Sequence, residues 1–131
     1  MKVRKLEELP ALVNGKSGKK VVLANGCFDI LHVGHLRYLE GARALGDVLV
    51  VAINSDKSMR LIKDAACPIL SEAERVALVS ALRCVDYVVV FDEPDLSRVL
   101  DVLRPAVRIA GDPKEHSTRD IIERILEKAQ Q

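Results

Sequence analysis

The sequence predicts an α/β fold in three layers, αβα, with a parallel sheet at its centre, and three observations point there. Short, almost wholly apolar runs rich in Val and Ile recur along the chain, as strands covered on both faces would. Between them lie segments whose apolar residues return with helical period. The two kinds alternate, and strand, helix, strand makes a right-handed crossover to a parallel neighbour. At 131 residues, 49% hydrophobic and 30% charged, the chain supports one core, so residues 1–131 are expected to form a single domain.

Val3 to Val13 places Leu6, Leu9 and Leu12 at helical spacing, interrupted by Pro10, and reads as a short lead-in helix on the edge of the domain. The polar run Asn14 to Lys20 gives way to a first buried strand, Val21 to Ala24, ended by Asn25-Gly26. Val33, Leu36, Leu39, Ala42 and Leu45 mark a helix, stopped by Gly46-Asp47. Val48 to Ile53 is the second strand, closed by Asn54-Ser55-Asp56.

Residues 55 to 71 are polar and unperiodic and read as a mobile loop. Ser71-Glu72-Ala73-Glu74 then opens a helix through about Arg83, with Val76, Leu78, Val79 and Leu82 as core contacts. Tyr87 to Phe91 is a third strand, Pro94 to Leu103 a helix and Val107 to Ala110 a fourth strand. Thr118 to Ala129 reads as a final amphipathic helix with Ile121, Ile122 and Ile125 inward.

Composition excludes several function classes. Twenty Lys and Arg stand against 19 Asp and Glu, a net charge of +1, so no broad basic field attracts nucleic acid. Trp is absent and only two Phe and two Tyr occur, too few for a base-stacking platform. The N-terminal residues lack the apolar centre of a signal peptide or membrane span, which implies no membrane association and a cytoplasmic protein. Cys27, Cys67 and Cys84 show neither CxxC pairing nor zinc-ligand spacing, as a reduced compartment permits.

In such a sheet ligands sit at the carboxyl ends of the strands. The first strand-to-helix turn is NGCFDILHVGH, Asn25 to His35. It puts Gly26 where backbone must approach a ligand and delivers His32 and His35 to the first turn of the helix, on one side of it. Transfer of a nucleotidyl group requires donors beside the α-phosphate, where charge builds on the non-bridging oxygens and the leaving pyrophosphate. Two imidazoles beside exposed helix N–H groups meet that need.

The string His32-Val33-Gly34-His35 resembles the HxGH signature of the cytidylyltransferase-like nucleotidyltransferase superfamily. With NGCFDILHVGH, GDVLVVAINSD and VDYVVVF, it is most similar to the adenylyltransferase domain of bifunctional ADP-heptose synthases, over residues 21 to 104 and again over 111 to 126. The resemblance implies a Rossmann-like fold and transfer of AMP from ATP to a sugar 1-phosphate, with Mg²⁺ carried by the triphosphate rather than by a protein cage. By position it implies that Asn25, Gly26 and Phe28 line the phosphate loop and that His32 and His35 stabilise the transition state. Asp29 would hold the loop or help place Mg²⁺, Lys63 would cover the triphosphate or the acceptor phosphate, and Arg75 would anchor an anionic group. Ser117 and Thr118 match a pair that binds the β- and γ-phosphates, and Ser117 with Asp120 is also a capping-box pattern. A homodimer is a frequent state of the family.

Plainer readings stand beside these. HxxH also suits zinc, but no third ligand lies at a useful spacing. Cys27 has no activating base nearby in sequence and reads as structural, and Lys57 and Arg60 are alternatives to Lys63. Asn54, Ser55 and Asp56 fit an Asx-type turn and stay outside the catalytic set. Gly15-Lys16-Ser17 precedes a strand, where a P-loop must follow one.

The chain departs from the family at two places. Pro105 is followed almost at once by Val107 to Asp112, so one strand and its crossover are missing near 105–107, through a deletion or a join across absent residues. Cys67 stands where relatives tend to carry Arg before the matched Pro68. Two other activities fit less closely: a glycerol-3-phosphate cytidylyltransferase using CTP, and a nucleotide-binding module without turnover.

Overall fold

The computed structural model describes residues 1–14, 19–62 and 68–110. A 3-10 turn at Leu6–Glu8 leads into α1 (Leu9–Asn14), followed by β1 (Val21–Gly26), α2 (Val33–Arg43), β2 (Val48–Asn54), α3 (Asp56–Ile62), α4 (Glu72–Ser80), β3 (Tyr87–Phe91), α5 (Ser97–Leu103) and β4 (Val107–Ala110). The expected helix from Thr118 to Ala129 lies outside the described residues.

The four strands form one sheet in the order β3-β2-β1-β4, every neighbouring pair parallel. Val21 is opposite Val48 and Gly26 opposite Ile53, while Asn25 meets Ala110 at the last step of the β1–β4 ladder. The lead-in segment covers the outer edge of β3: Arg4 N–H donates to the Val88 carbonyl and Val88 N–H to that of Lys2, both at 2.9 Å. The contact is a single parallel bridge, Val3 to Val88, and it covers the start of that edge.

Strand residues alternate between faces, and each face has its own core. Val21, Leu23, Val48, Val50, Ala52, Val89 and Phe91 pack under α1 and α5 with Leu9, Val13, Val99 and Leu103. Val22, Ala24, Leu49, Val51, Ile53 and Val88 pack under α2 and α4 with Leu39, Ala42 and Val79. Helices on both faces complete the three layers. Leu39 is fully buried, so truncating it to Ala costs about 3 kcal/mol through lost transfer energy and the cavity left behind.

Three details differ from the sequence reading. The first part of the expected 55–71 loop is α3, started where Ser58 N–H donates to Ser55 Oγ at 3.0 Å and anchored by fully buried Met59. A short helix with one inward apolar residue has too little periodicity to announce itself. On α2 the inward stripe is Leu39 and Ala42, while Val33, Leu36 and Leu45 are exposed. On α4, Leu78 is likewise exposed, and Val79 and Arg75 point inward. The Ser71 start of α4 forms as a capping box: Glu74 N–H donates to Ser71 Oγ at 3.3 Å and Ser71 N–H to Glu74 Oε1 at 3.4 Å.

Candidate active site

Strand order reverses at β1, with β2 and β3 on one side and β4 on the other. The carboxyl ends of strands flanking such a reversal bound the ligand crevice of a doubly wound sheet. The chain from Asn25 to His35 leaves β1 at this point and enters α2.

His32 is the N-cap of α2, with extended backbone at φ −139° and ψ 178°. Its Nδ1 accepts from Gly34 N–H at 3.0 Å, and the His32 N–H donates to His35 Nδ1 at 3.2 Å. The two histidines thus form a capping box with imidazoles in place of the usual Ser and Glu. The ring centroids are 4.0 Å apart and the planes inclined by 32°. Because both Nδ1 atoms accept backbone protons, each neutral ring carries its proton on Nε2. The remaining N–H of each ring is therefore Nε2–H, on a pair that stands at the positive end of a helix.

Neighbouring residues make room for this arrangement. A Cβ on Gly34 would stand 2.7 Å from His32 Cε1 and 2.9 Å from Nδ1, so the glycine of HVGH lets the His32 ring fold over the first turn. A Cβ on Gly26 would meet the Phe28 ring at 3.0 Å. Phe28 is buried, and its ring centroid lies 5.2 Å from that of His35. Its backbone takes φ 51°, a left-handed conformation that costs a non-glycine residue about 1 kcal/mol or more and is held by the packing around it.

Asp29 is fully buried, and its carboxylate accepts from Ile69 N–H at 2.9 Å and Leu70 N–H at 2.8 Å. It ties the β1 loop to the chain entering α4. Arg75, also fully buried, completes the frame. Its Nη1 donates to the carbonyls of Cys27 at 2.7 Å and Asn54 at 2.6 Å, its Nε to that of Leu70 at 3.2 Å, and its Nη2 meets Asp56 Oδ1 at 2.8 Å. Four bonds from a group with five N–H donors commit the guanidinium to the protein's own backbone and one carboxylate.

Other polar groups join the site that sequence reasoning did not assign to it. The Tyr38 hydroxyl lies 2.7 Å from the Ile109 carbonyl, 3.3 Å from Asn25 N and 3.4 Å from Asn25 O. Burial pushes its pKa up, partly offset by the bond to Asn25. Cys27 Sγ donates to Asn54 Oδ1 at 3.6 Å, Asn54 Nδ2 to Ser58 Oγ at 2.9 Å, and Ser58 Oγ to the Glu93 carbonyl at 2.6 Å, which links the ends of β1 and β2 to the turn after β3. The available signals were the position of Tyr38 three residues after His35 and the polar string Asn54-Ser55-Asp56. Asn25 Oδ1 is enclosed and has no hydrogen-bond partner among the described residues.

Lys63, Cys67, Ser117 and Thr118 lie outside the described residues. Among the described residues no group of three or more His, Cys, Asp or Glu is placed to hold a metal ion, and no helix is long and apolar enough to cross a membrane.

A family model described as cytidylyltransferase-like matches residues 23–130. The bifunctional protein HldE of Geobacter metallireducens is 43% identical over 127 residues, which cover 93% of this chain and 26% of that protein. The HldE of Citrifermentans bemidjiense is 51% identical over 94 residues, covering 72% of this chain and 19% of its own. The chain spans about a quarter of the length of the first such relatives. A crystal structure of the lipopolysaccharide core biosynthesis protein from Thermoplasma volcanium GSS1 superposes with a TM-score of 0.68 at 32% identity, over 86% of this chain and 90% of that one.

Proposed function

The chain belongs to the cytidylyltransferase-like family, and on that premise we propose that it transfers AMP from ATP to a sugar 1-phosphate, heptose 1-phosphate first among them. A phosphate oxygen of the sugar attacks the α-phosphorus of ATP, a new P–O bond forms, and the bond to the β-phosphate bridging oxygen breaks. Pyrophosphate leaves and an ADP-sugar remains. No covalent enzyme intermediate is required.

The observation that carries this reading is that both His32 and His35 accept backbone N–H through Nδ1 at the start of α2, from which Nε2–H follows as the donor of each ring. In-line displacement at phosphorus draws little covalent chemistry from a protein and depends on position and on stabilising the spread charge. Both donors are fixed by backbone bonds before substrate arrives, so they need little reorganisation during the reaction. Asn25, Gly26 and Phe28 shape the loop at the α-phosphate in this reading. Asp29 and Arg75 act by holding that loop against β2 and α4.

Lys63, Ser117 and Thr118 complete the proposal as contacts to the triphosphate. Mg²⁺ enters with ATP, held by phosphate oxygens and water, as its octahedral demand favours. Asp29, the carboxylate of the loop, already accepts two backbone N–H groups. The chain is read as one shortened domain of a cytoplasmic enzyme that lacks the strand and crossover near 105–107.

The test is pyrophosphate release measured with ATP and with CTP against heptose 1-phosphate and glycerol 3-phosphate. Release with ATP and the sugar phosphate is expected. Release confined to CTP with glycerol 3-phosphate, or nucleotide binding without release from any pair, contradicts the proposal.

A further inference from the structure

The helix that carries the histidines is fastened to the crevice by one side chain outside the HVGH string. Tyr38 stands one turn beyond His35 on α2, and its hydroxyl touches backbone atoms of both strands that bound the crevice. A phenol has one proton, and the 2.7 Å contact with the Ile109 carbonyl takes it, leaving a lone pair to accept from Asn25 N–H at 3.3 Å. The result is a relay from β1 through a helix side chain to β4. It lies where the β1–β4 ladder ends, at Asn25 and Ala110.

This single oxygen ties α2 to both strands at the mouth of the crevice, beside the last pair of the β1–β4 ladder. The histidine rings are oriented by their own reciprocal bonds, and those bonds do not depend on Tyr38. What the hydroxyl controls is where that oriented pair stands relative to a ligand lying against Asn25. Among the described residues, the enclosed side-chain oxygen of Asn25 has no hydrogen-bond partner.

We propose that Tyr38 is a positioning residue that aligns the His32–His35 pair with the β1–β4 crevice. The inference rests on the nucleotidyl-transfer reading above and adds a residue to it. Misplacement of a catalytic group by about 1 Å lowers a rate by roughly a hundredfold, so a small drift of α2 is felt in turnover.

The experiment is Tyr38→Phe, which keeps the ring and removes the hydroxyl. The melting temperature checks folding, and kcat is taken per native molecule by titrating nucleotide-binding sites, so a partly unfolded preparation does not imitate the effect. The expected result is a fall in kcat of about tenfold to a hundredfold, with KM for ATP within about twofold of wild type. A hydroxyl that only stabilises the fold would lower the melting temperature and leave kcat per native molecule unchanged, which overturns the proposal. A rise in KM alone also overturns it, because the effect would then lie in binding rather than alignment. A wild-type protein that transfers no nucleotidyl group refutes the underlying reading as well, whereas an active wild type matched by Tyr38→Phe refutes only the role of Tyr38.

Discussion

Arg75 Nη1 and the Cys27 carbonyl oxygen are joined at 2.7 Å across 48 residues of sequence, and the same nitrogen reaches the Asn54 carbonyl at 2.6 Å. A single buried cation therefore clasps the carboxyl ends of β1 and β2. Carbonyl oxygens at strand ends have lost their ladder partners, and a guanidinium collects them where an ammonium, a compact point charge, does not match the geometry. Asp56 balances the charge at 2.8 Å.

Arg75→Met is expected to destabilise the fold by about 3 kcal/mol, because three carbonyls and a carboxylate lose their donor in a largely buried setting. Arg75→Lys should recover only part of that. Urea unfolding measures both, and a lysine variant as stable as wild type would show that charge alone, rather than the forked geometry, holds the two strand ends.

Gly34→Ala separates stability from activity. Alanine's helix advantage of about 1 kcal/mol is offset by the loss of the His32 cap on Gly34 N–H, a term of similar size, so the melting temperature should change little. The new Cβ would lie 2.7 Å from His32 Cε1, so the ring must turn out of place. Turnover is expected to fall by about a hundredfold, the order seen when one aimed donor is lost. A variant as active as wild type would show that the His32 ring orientation is dispensable.

Alkaline titration reports on Tyr38. Burial raises its pKa in the folded protein, so its contribution is complete below the ordinary phenol range and is lost as pH rises through the raised folded value. Unfolding free energy followed from neutral pH upward should fall on the alkaline side, and Tyr38→Phe should flatten that fall. An unchanged alkaline limb in the variant would assign the loss to other groups.

Asp29→Asn tests the tie between the β1 loop and α4. The neutral amide keeps one acceptor oxygen where the carboxylate offers two to Ile69 N–H and Leu70 N–H. A stability loss of about 1 to 2 kcal/mol is expected, together with faster amide exchange at Ile69 and Leu70. Unchanged exchange at both positions would refute the tie.

The strands were legible because burial on both faces leaves a plain signature: Val48 to Ile53 is apolar throughout and every residue of it is buried. The start of α4 was legible because a capping box is local, with Ser71 and Glu74 three residues apart. Helix α3 was hidden because only Met59 anchors its apolar side. In the candidate site, the spacing of His32 and His35 put both on the first turn of α2, but their bonding through Nδ1 needed coordinates. The contacts of Arg75 and Tyr38 run to backbone carbonyls far away in sequence, and a carbonyl leaves no mark in the residue alphabet.

The most direct test of the account is ATP-dependent nucleotidyl transfer by His35→Ala beside wild type, with ATP affinity measured on the same samples. Removing one preorganised Nε2–H donor should lower kcat by about a hundredfold to a thousandfold while ATP affinity changes only a few-fold, because the donor acts on charge that develops in the transition state. Turnover within a few-fold of wild type would contradict the account, since the imidazole pair at the mouth of β1 would then have no part in the chemistry.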